Sequence, residues 1–184
     1  LLAPLELTYG IKERTDASGE ISIPLDEDQL KEQLTQLKKK GQVEALTISF
    51  VNSYINNENE VLAAKIAGEI FTDVPISISS EVIPEMQEYE RAETTVLNSY
   101  VRPQVSNYVN NLQSNLEKSL GSDVQLSILR SDGGLASSRS TGDSPVNHLM
   151  SGPAGGVAGA IHFCNQAGFE NILTFDMGGT STDV

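Results

Sequence analysis

The 184-residue sequence has one cysteine, no tryptophan and few basic residues. A lone thiol, Cys164, allows neither an internal disulfide nor the paired spacing of a zinc site. Only 12 Lys and Arg oppose 25 Asp and Glu, which gives a net charge of −13. Such an acidic chain, without a basic stripe, is not expected to bind nucleic acid by neutralising its phosphates.

Long apolar runs and targeting patterns are also missing. No stretch of about 18 apolar residues occurs, so the sequence predicts no membrane span, and no signal-peptide pattern is visible. We therefore expect a cytoplasmic protein. The length of 184 residues and the hydrophobic share of 39% suit one or two domains with a sizeable core. Because the sequence starts at Leu1 and stops inside a predicted strand, we expect a piece of a longer protein.

Hydrophobic patterning in the first half alternates between strand and helix periods. Asp26 and Gln29 predict a capping box at the start of the first helix, and Gly41 predicts its end. The β-α-β-α-β order predicts a parallel sheet with right-handed crossovers. The predicted elements are two strands within residues 5–23, a helix from Asp26 to Gly41, a central strand at 43–51, a helix that stops before Pro75, and a strand at 76–79.

The second half is predicted to be mostly helical, with two short strands. Pro103 predicts a kink or a break in the long helix at Arg102, because the residue before a proline is biased out of helical geometry. The predicted elements are a helix over 84–120 with an apolar stripe from Val105 to Leu120, a strand at 124–129, a turn at 131–134, an irregular segment at 135–146, a helix over 153–167, and a strand at 171–175.

Residues 172–184 carry the clearest chemical pattern of the chain. An apolar run leads into Asp176, and Gly178-Gly179 suit a hairpin turn that needs positive φ. A turn without β-carbons lets phosphate oxygens approach its backbone N–H groups. Asp176 is then placed to hold Mg²⁺, which prefers carboxylate, water and phosphate oxygens. The alternative is an ordinary glycine hairpin. The strand predicted after the turn adds hydroxyl donors on one side, from Thr180 and Thr182.

The helix predicted from Pro153 is rich in glycine, including Gly155 and Gly156. Each glycine destabilises a helix by about 1 kcal/mol relative to alanine. Several glycines in one helix therefore indicate a face without side chains, which a neighbouring backbone or a ligand can approach closely. Tight helix packing alone is the alternative. Ser151-Gly152, just before it, could offer anion-binding donors at a helix N-terminus, or Ser151 could simply cap the helix.

Three further positions are weaker candidates. A loop at the carboxyl edge of a strand is a common place for ligands in α/β proteins, which suggests a substrate contact for Ser131, Asp132, Gly133 and Gly134. Glu88, Glu90 and Arg91 lie on a predicted helix, where they either form a salt-bridged helix start or make a contact with substrate or between lobes. A serine hydrolase using His148 and Ser151 is disfavoured, because no Gly-x-Ser-x-Gly elbow exists.

Four ordered segments resemble the hydantoinase A/5-oxoprolinase family, which includes N-methylhydantoinases and acetone and acetophenone carboxylase subunits. The segments are Glu88-Tyr89-Glu90-Arg91 with Thr94-Thr95 and Asn98-Ser99-Tyr100, then Ser131-Asp132-Gly133-Gly134, Ser151-Gly152-Pro153-Ala154-Gly155-Gly156, and Phe175-Asp176-Met177-Gly178-Gly179-Thr180-Ser181-Thr182-Asp183-Val184. Many family members have Asn at the position of Asp132, which speaks against a carboxylate role there.

The resemblance implies an α/β fold with a ribonuclease H-like core, as in the actin-like ATPases. That core would be incomplete here, with the end of a first lobe and the start of a second. Residues 1–83 would be the C-terminal part of the family's N-terminal domain, and 84–184 the start of the hydantoinase A/oxoprolinase domain. Within the latter, residues 153–167 would form the interlobe helix and 176–180 the second phosphate loop.

The implied activity is an ATP-dependent hydrolysis of a cyclic amide such as a hydantoin or 5-oxoproline. Phosphorylation of the carbonyl oxygen would activate the ring for attack by water. Asp176 would hold Mg²⁺ or its water, Asp183 would support the hairpin, and the glycine turn with Thr180 would bind the phosphates of ATP.

Two other functions remain open from the sequence. One is an ATP-dependent ketone carboxylase subunit, and the other is a non-catalytic ATP-driven switch of the actin-like kind. Expected partners are a small cyclic amide together with further copies of the chain, or a hydantoinase B-type subunit or domain. We expect the isolated 184 residues to be inactive.

Overall fold

The computed structural model describes residues 2–41 and 43–184. The chain divides into two compact units, Leu1–Gln104 and Val105–Val184. Its helices are α1 Glu27–Lys40, α2 Glu58–Ile70, α3 Ser79–Val82, α4 Glu88–Leu120, α5 Ser138–Asp143 and α6 Ser151–Gln166, with 3-10 turns at Leu5–Leu7 and Pro145–His148. Its strands are β1 Arg14–Thr15, β2 Ile21–Ile23, β3 Leu46–Ile48, β4 Ile76–Ile78, β5 Ser127–Leu129, β6 Leu135–Ser137, β7 Asp176–Met177 and β8 Thr182–Asp183.

Helix α1 starts and ends as the sequence predicts. Asp26 Oδ1 accepts a hydrogen bond from the Gln29 N–H at 3.0 Å, and Gly41 ends the helix with a φ of 73°. The capping box is only half made, because Gln29 Oε1 accepts instead from the Lys12 N–H at 2.7 Å. The Gln29 side chain therefore links α1 to the segment before β1.

The core of the first unit lies where helices α1 and α2 meet. Its buried side chains include three leucines of α1 and a run of small and branched residues from α2; they are Leu25, Leu30, Leu34, Leu37, Ala63, Ile66, Ala67 and Phe71. Apolar residues of β3 and β4 pack against this cluster. Burial of the leucine side chains, at roughly 1.5–3 kcal/mol each, stabilises the unit.

The parallel sheet is smaller than the sequence predicts. Strands β3 and β4 pair in parallel, with Leu46 opposite Ile76 and Ile48 opposite Ile78, and α2 connects them. β1 and β2 form a separate antiparallel hairpin, so the prediction of one β-α-β-α-β sheet is wrong. The strand predicted at 43–51 is also too long, because the Phe50 N–H donates to Glu60 Oε1 at 2.7 Å rather than to a strand.

Helix α4 runs without interruption from Glu88 to Leu120, so the break predicted at Pro103 is wrong, as is a helix start at residue 84. A proline inside a helix costs about 3 kcal/mol. Side-chain bonds to the sheet hold the preceding turn in place: Ser99 accepts from Thr47 Oγ1 at 2.7 Å, and Arg102 donates to the Ile76 carbonyl at 2.6 Å. Tertiary contacts thus outweigh the local preference.

The second unit contains an antiparallel hairpin where irregular chain was predicted. β6 pairs with β5, with Leu129 opposite Leu135, and α5 follows directly, capped by a bond from the Ser140 N–H to Ser137 Oγ at 3.2 Å. The small polar residues of 135–146 therefore form helix caps and turns, rather than the irregular segment that the sequence predicts. On α4, Val109 of the predicted stripe is buried, whereas Leu120 at its end is exposed.

The last part of the chain departs most from the prediction. α6 begins at Ser151, with Pro153 in its first turn, and contains no buried residue. Residues 171–175 are not a strand, and pairing begins only at Asp176. Leu173 and Phe175 in this segment are exposed. A strand needs a hydrogen-bonded neighbour, and among the described residues none lies beside 171–175.

No helix in the described part of the chain combines the length and apolar character needed to cross a membrane.

Candidate functional site

The glycine segment forms a hairpin that brings two carboxylates together. β7 and β8 pair antiparallel, with Asp176 directly opposite Asp183 and Met177 opposite Thr182. The Gly178 N–H closes the turn on the Ser181 carbonyl at 2.9 Å. Directly opposite residues of an antiparallel pair project to the same face. Asp176 and Asp183 therefore share one face of the hairpin, and Thr182 lies on the other.

The two glycines of this turn do not have the predicted positive φ, since neither Gly178 nor Gly179 is among the residues with that conformation. The four-residue loop relieves the strain that a two-residue turn would impose. A β-carbon on Gly178 would lie 3.6 Å from the Ser181 carbonyl, an ordinary contact, and one on Gly179 would meet nothing within 4 Å. The space beside the turn is open, so a ligand can approach its backbone.

Helix α6 reaches this hairpin through its glycines. A β-carbon on Gly156 would lie 4.0 Å from Asp176 Oδ2, and one on Gly155 would lie only 2.7 Å from Leu129 Cδ2. Close packing against β5 thus explains why a glycine is needed at position 155. Gly152 and Gly159 meet nothing within 4 Å, so packing does not explain them.

The start of α6 has no side-chain cap. Met150 is the N-cap residue and makes no capping bond through its side chain, and Ser151 is already the first helical residue. The alternative interpretation, that Ser151 caps the helix, is therefore wrong. The first N–H groups of a helix lack intrahelical acceptors, and anion binding at Ser151 and Gly152 stays a prediction.

The Ser131–Gly134 motif is the tight turn between β5 and β6. Gly133 has a φ of 82°, which favours glycine. Asp132 works inside the turn: its Oδ1 accepts from the Gly134 N–H at 2.9 Å, and its Oδ2 pairs with the Arg130 guanidinium at 2.8 Å. Both carboxylate oxygens of Asp132 therefore help to hold the turn in shape.

This turn lies against the start of α6. The Ser131 N–H donates to the Asn147 carbonyl at 2.8 Å, and the Met150 N–H donates to Ser131 Oγ at 3.0 Å. Three sequence-predicted segments are therefore neighbours within the second unit: the turn at 131–134, the first turns of α6, and Asp176 beside Gly156.

Glu90 and Arg91 belong to the first unit and lie in a different environment. Arg91 is fully buried and donates to the Glu85 and Phe50 carbonyls at 2.9 and 2.7 Å. It also pairs with Glu88, which confirms the salt-bridged helix start. Glu90 is exposed on the same helix.

Arg91 is part of a buried network with Glu60, which carries no sequence motif. Glu60 is also fully buried, and Ser79 Oγ donates to its Oε1 at 2.6 Å while accepting from Arg91 Nε at 3.0 Å. The Glu60 Oε2 accepts from the Ser80 N–H at 2.9 Å. A charged residue within an apolar helix pattern, as Glu60 is within α2, is the one clue that could have pointed to this network.

The side chains of the two histidines contact residues other than Ser151. His148 Nε2 lies 3.2 Å from Thr141 Oγ1, and His162 Nε2 lies 2.9 Å from the Gln166 amide. Thr141, which the sequence analysis missed, is 1% exposed. His148 Nε2 is thus engaged with α5 rather than with Ser151.

Among the described residues, no three His, Cys, Asp or Glu side chains cluster as an all-protein metal site would require. Magnesium does not need one, because it usually takes one or two carboxylates and keeps water and phosphate ligands. Two carboxylates directly opposite each other repel, and a divalent cation would relieve that repulsion. The donor set at Asp176 and Asp183 therefore fits hydrated Mg²⁺.

Comparison with known proteins places most of the chain in two family models. Residues 91–184 match the model described as Hydantoinase/oxoprolinase. Residues 1–71 match the Hydantoinase/oxoprolinase N-terminal region.

Individual relatives resemble the chain over nearly its whole length. It is 33% identical to caprolactamase subunit alpha of Pseudomonas jessenii over 100% of this chain and 26% of that protein. It is 36% identical to 5-oxoprolinase of Saccharomyces cerevisiae over 86% of this chain and 12% of that protein. The chain therefore spans between about an eighth and a quarter of the length of these relatives.

Two solved structures match the fold as well as the sequence. The crystal structure of ATP-dependent caprolactamase from Pseudomonas jessenii superimposes with a TM-score of 0.86 at 32% identity, over 99% of this chain and 26% of that one. A nucleotide-free structure of acetone carboxylase, from work on ATP-dependent acetone carboxylation, gives 0.85 at 32% identity, over 97% and 25%.

Proposed function

This chain belongs to the hydantoinase/oxoprolinase family, and from that membership we propose that it is part of an ATP-dependent enzyme that opens a cyclic amide. The reaction would transfer a phosphoryl group from ATP to the amide oxygen, and water would then add to the activated ring carbon. The C–N bond would break with the nitrogen leaving as the amine, and hydrolysis of the resulting acyl phosphate would release the carboxylate and phosphate. Phosphorylation makes the otherwise unreactive amide carbon electrophilic, which explains why ATP is needed. Hydantoins and 5-oxoproline are the proposed rings.

One observation carries the proposal: Asp176 and Asp183 face the same side of a glycine hairpin, beside Gly156. Gly178, Gly179 and Thr180 leave room for phosphate oxygens at the turn, and the first N–H groups of α6 at Ser151 and Gly152 add donors. A magnesium ion bound there would neutralise charge on the phosphates. The protein's part is to position ATP and stabilise charge with preorganised groups.

Asp176 is proposed to ligate the metal or its water, and Asp183 to support it from the opposite strand. Thr182 projects from the other face, so we assign it to the support of the hairpin loop rather than to the phosphates. Ser131 and its turn are proposed to contact the amide substrate. Arg91 and Glu90 are left out of this site, because the partners of Arg91 already account for its burial.

At the level of architecture, we propose a two-lobed, actin-like ATPase with a ribonuclease H-like core. Residues 1–83 would end its first domain and 84–184 would begin its second, with residues 153–167 as the interlobe helix. A relative is named as a subunit, which supports a complex with a hydantoinase B-type subunit or domain, or with further copies of the chain.

The decisive test is ATP hydrolysis by the full-length protein. We expect hydrolysis to be stimulated by a cyclic amide, and Asp176→Asn to reduce that rate by at least about 100-fold, as loss of a key electrostatic group does. Asp123→Asn, at an exposed site of the same unit, is the matched control and should keep the wild-type rate. An Asp176→Asn enzyme with wild-type turnover contradicts the assignment.

A ketone carboxylase is the second candidate, because the acetone carboxylase structure matches about as well as the caprolactamase structure. In that case an activated enol would attack carbon dioxide. A panel of 5-oxoproline, hydantoin, caprolactam, and acetone with bicarbonate separates the two activities by which compound stimulates phosphate release. Hydrolysis that responds only to a protein client would instead indicate a non-catalytic switch.

A further inference from the structure

The turn at residues 131–134 depends on the 3-10 helix Pro145–His148 for its position. Two of the contacts that hold Ser131 come from residues on either side of His148 in the chain, the Asn147 carbonyl at 2.8 Å and the Met150 N–H at 3.0 Å. Because Ser131 Oγ accepts from Met150, its own proton stays available for a further acceptor. A contact that holds His148 in place therefore also holds Asn147 and Met150, and through them it sets the direction of the Ser131 hydroxyl.

The position of the protons on His148 follows from its partner. Thr141 Oγ1 donates to the Ser137 carbonyl at 2.9 Å, and a hydroxyl has only one proton to donate. Its contact with His148 Nε2 at 3.2 Å therefore requires an N–H on Nε2. The other ring nitrogen, Nδ1, is then unprotonated, and within the described structure it is buried and has no hydrogen-bond partner.

We propose that His148, as the uncharged Nε2–H tautomer, is a positioning residue that anchors the substrate turn by fastening the 3-10 helix to Thr141 of α5. The anchored turn presents the Ser131 hydroxyl as a donor to an oxygen of the substrate amide. This proposal rests on the proposed function only in taking the turn to face the substrate.

The surroundings of the ring favour the uncharged form. Burial lowers the pKa of His148 below its ordinary value, and the Arg130 guanidinium adds to that effect. The carbonyls of Ser144 and Pro145 and the carboxylate of Asp132 act in the opposite direction, and burial outweighs them. Acidification would place a charge on this buried ring, so we expect the anchor to loosen at low pH.

Imidazole ¹⁵N spectra of the 184-residue chain test the tautomer directly, since the chain has only two histidines. At pH 7 we expect His148 to show a protonated Nε2 and a bare Nδ1. His148→Gln, whose amide can donate to Thr141, should preserve the Ser131 and Met150 amide shifts, whereas His148→Phe should displace them. His162→Gln, at the exposed histidine, is the control and should leave them unchanged.

Kinetics of the full-length enzyme supply the second readout. His148→Phe should raise the KM for the amide about tenfold, as loss of one hydrogen bond does, without changing the KM for ATP. Because the pKa of His148 lies below its ordinary value, the wild-type KM for the amide should rise only at a pH below the ordinary histidine range, and that rise should vanish in His148→Gln.

The proposal is overturned by an Nδ1–H or charged His148 at pH 7, or by unmoved turn amides in His148→Phe. It is equally overturned if those amides move while the KM for the amide stays constant. Absence of any ATP-dependent turnover in the wild type would count against the proposed function instead, and the spectra would still decide whether His148 anchors the turn.

Discussion

At the scale of single residues, the chain separates groups that hold the fold from groups that are free to bind. Arg91 and Glu60 are both fully buried and are joined through Ser79, with bonds of 3.0 and 2.6 Å. Buried charges persist only when paired and hydrogen-bonded. Asp176 and Asp183 are, by contrast, exposed, as residues that receive a ligand should be.

Replacement of Arg91 by Met tests the structural side of this division. The change removes the cation of a buried network in which Ser79 accepts from Arg91 and donates to Glu60, so we expect a loss of about 3–5 kcal/mol in the free energy of unfolding. Urea denaturation followed by circular dichroism measures it. Arg139→Met, at an exposed arginine, should change stability by less than about 0.5 kcal/mol. Equal effects of the two substitutions would show that the buried network contributes no net stability.

At the scale of elements, the sequence predicted most helices but not the extent of the strands. The capping residue Asp26 and the stop at Gly41 were predicted correctly because both signals are local. Strands depend on distant partners, so β6 was missed and the apolar run at 171–175 was wrongly assigned to a strand. The break predicted at Pro103 failed for the same reason, since side-chain bonds to β3 and β4 lie outside any local pattern.

The candidate site shows the same division between local and distant signals. The motifs around Ser131, Ser151 and Asp176 were found from sequence, but their proximity within the second unit was not. The positive φ expected of Gly178 and Gly179 was wrong, because the loop between β7 and β8 is longer than a two-residue turn. Thr141 and Glu60 carried no motif and emerged only from their contacts.

The glycines of α6 give a prediction at this scale. Gly155→Ala places a β-carbon 2.7 Å from Leu129 Cδ2, so the Leu129 side chain must shift, and we expect a destabilisation of about 1–3 kcal/mol. Gly159→Ala meets nothing within 4 Å and should stabilise the same helix by about 0.5–1 kcal/mol. Thermal unfolding of both variants measures the difference. A destabilising Gly159→Ala would mean that the open face is packed in solution.

At the scale of the whole molecule, the acidic charge and the exposed apolar surface bear on how the chain is used. A net charge of −13 disfavours long-range attraction of ATP, so affinity must come from local donors and a metal ion. Large apolar side chains near the proposed site are exposed, among them Phe163, Leu173 and Phe175. The chain covers 26% of caprolactamase subunit alpha, and we expect these side chains to be covered in a protein of that size.

Calorimetric titration of ATP into the full-length protein tests the central claim most directly. We predict saturable binding in the presence of magnesium, a loss of at least about tenfold in affinity when magnesium is withheld, and a similar loss in Asp176→Asn with magnesium present. Asp123→Asn should bind as the wild type does. Binding that is indifferent both to magnesium and to Asp176→Asn, or no binding at all, would contradict the account of the hairpin as a nucleotide site.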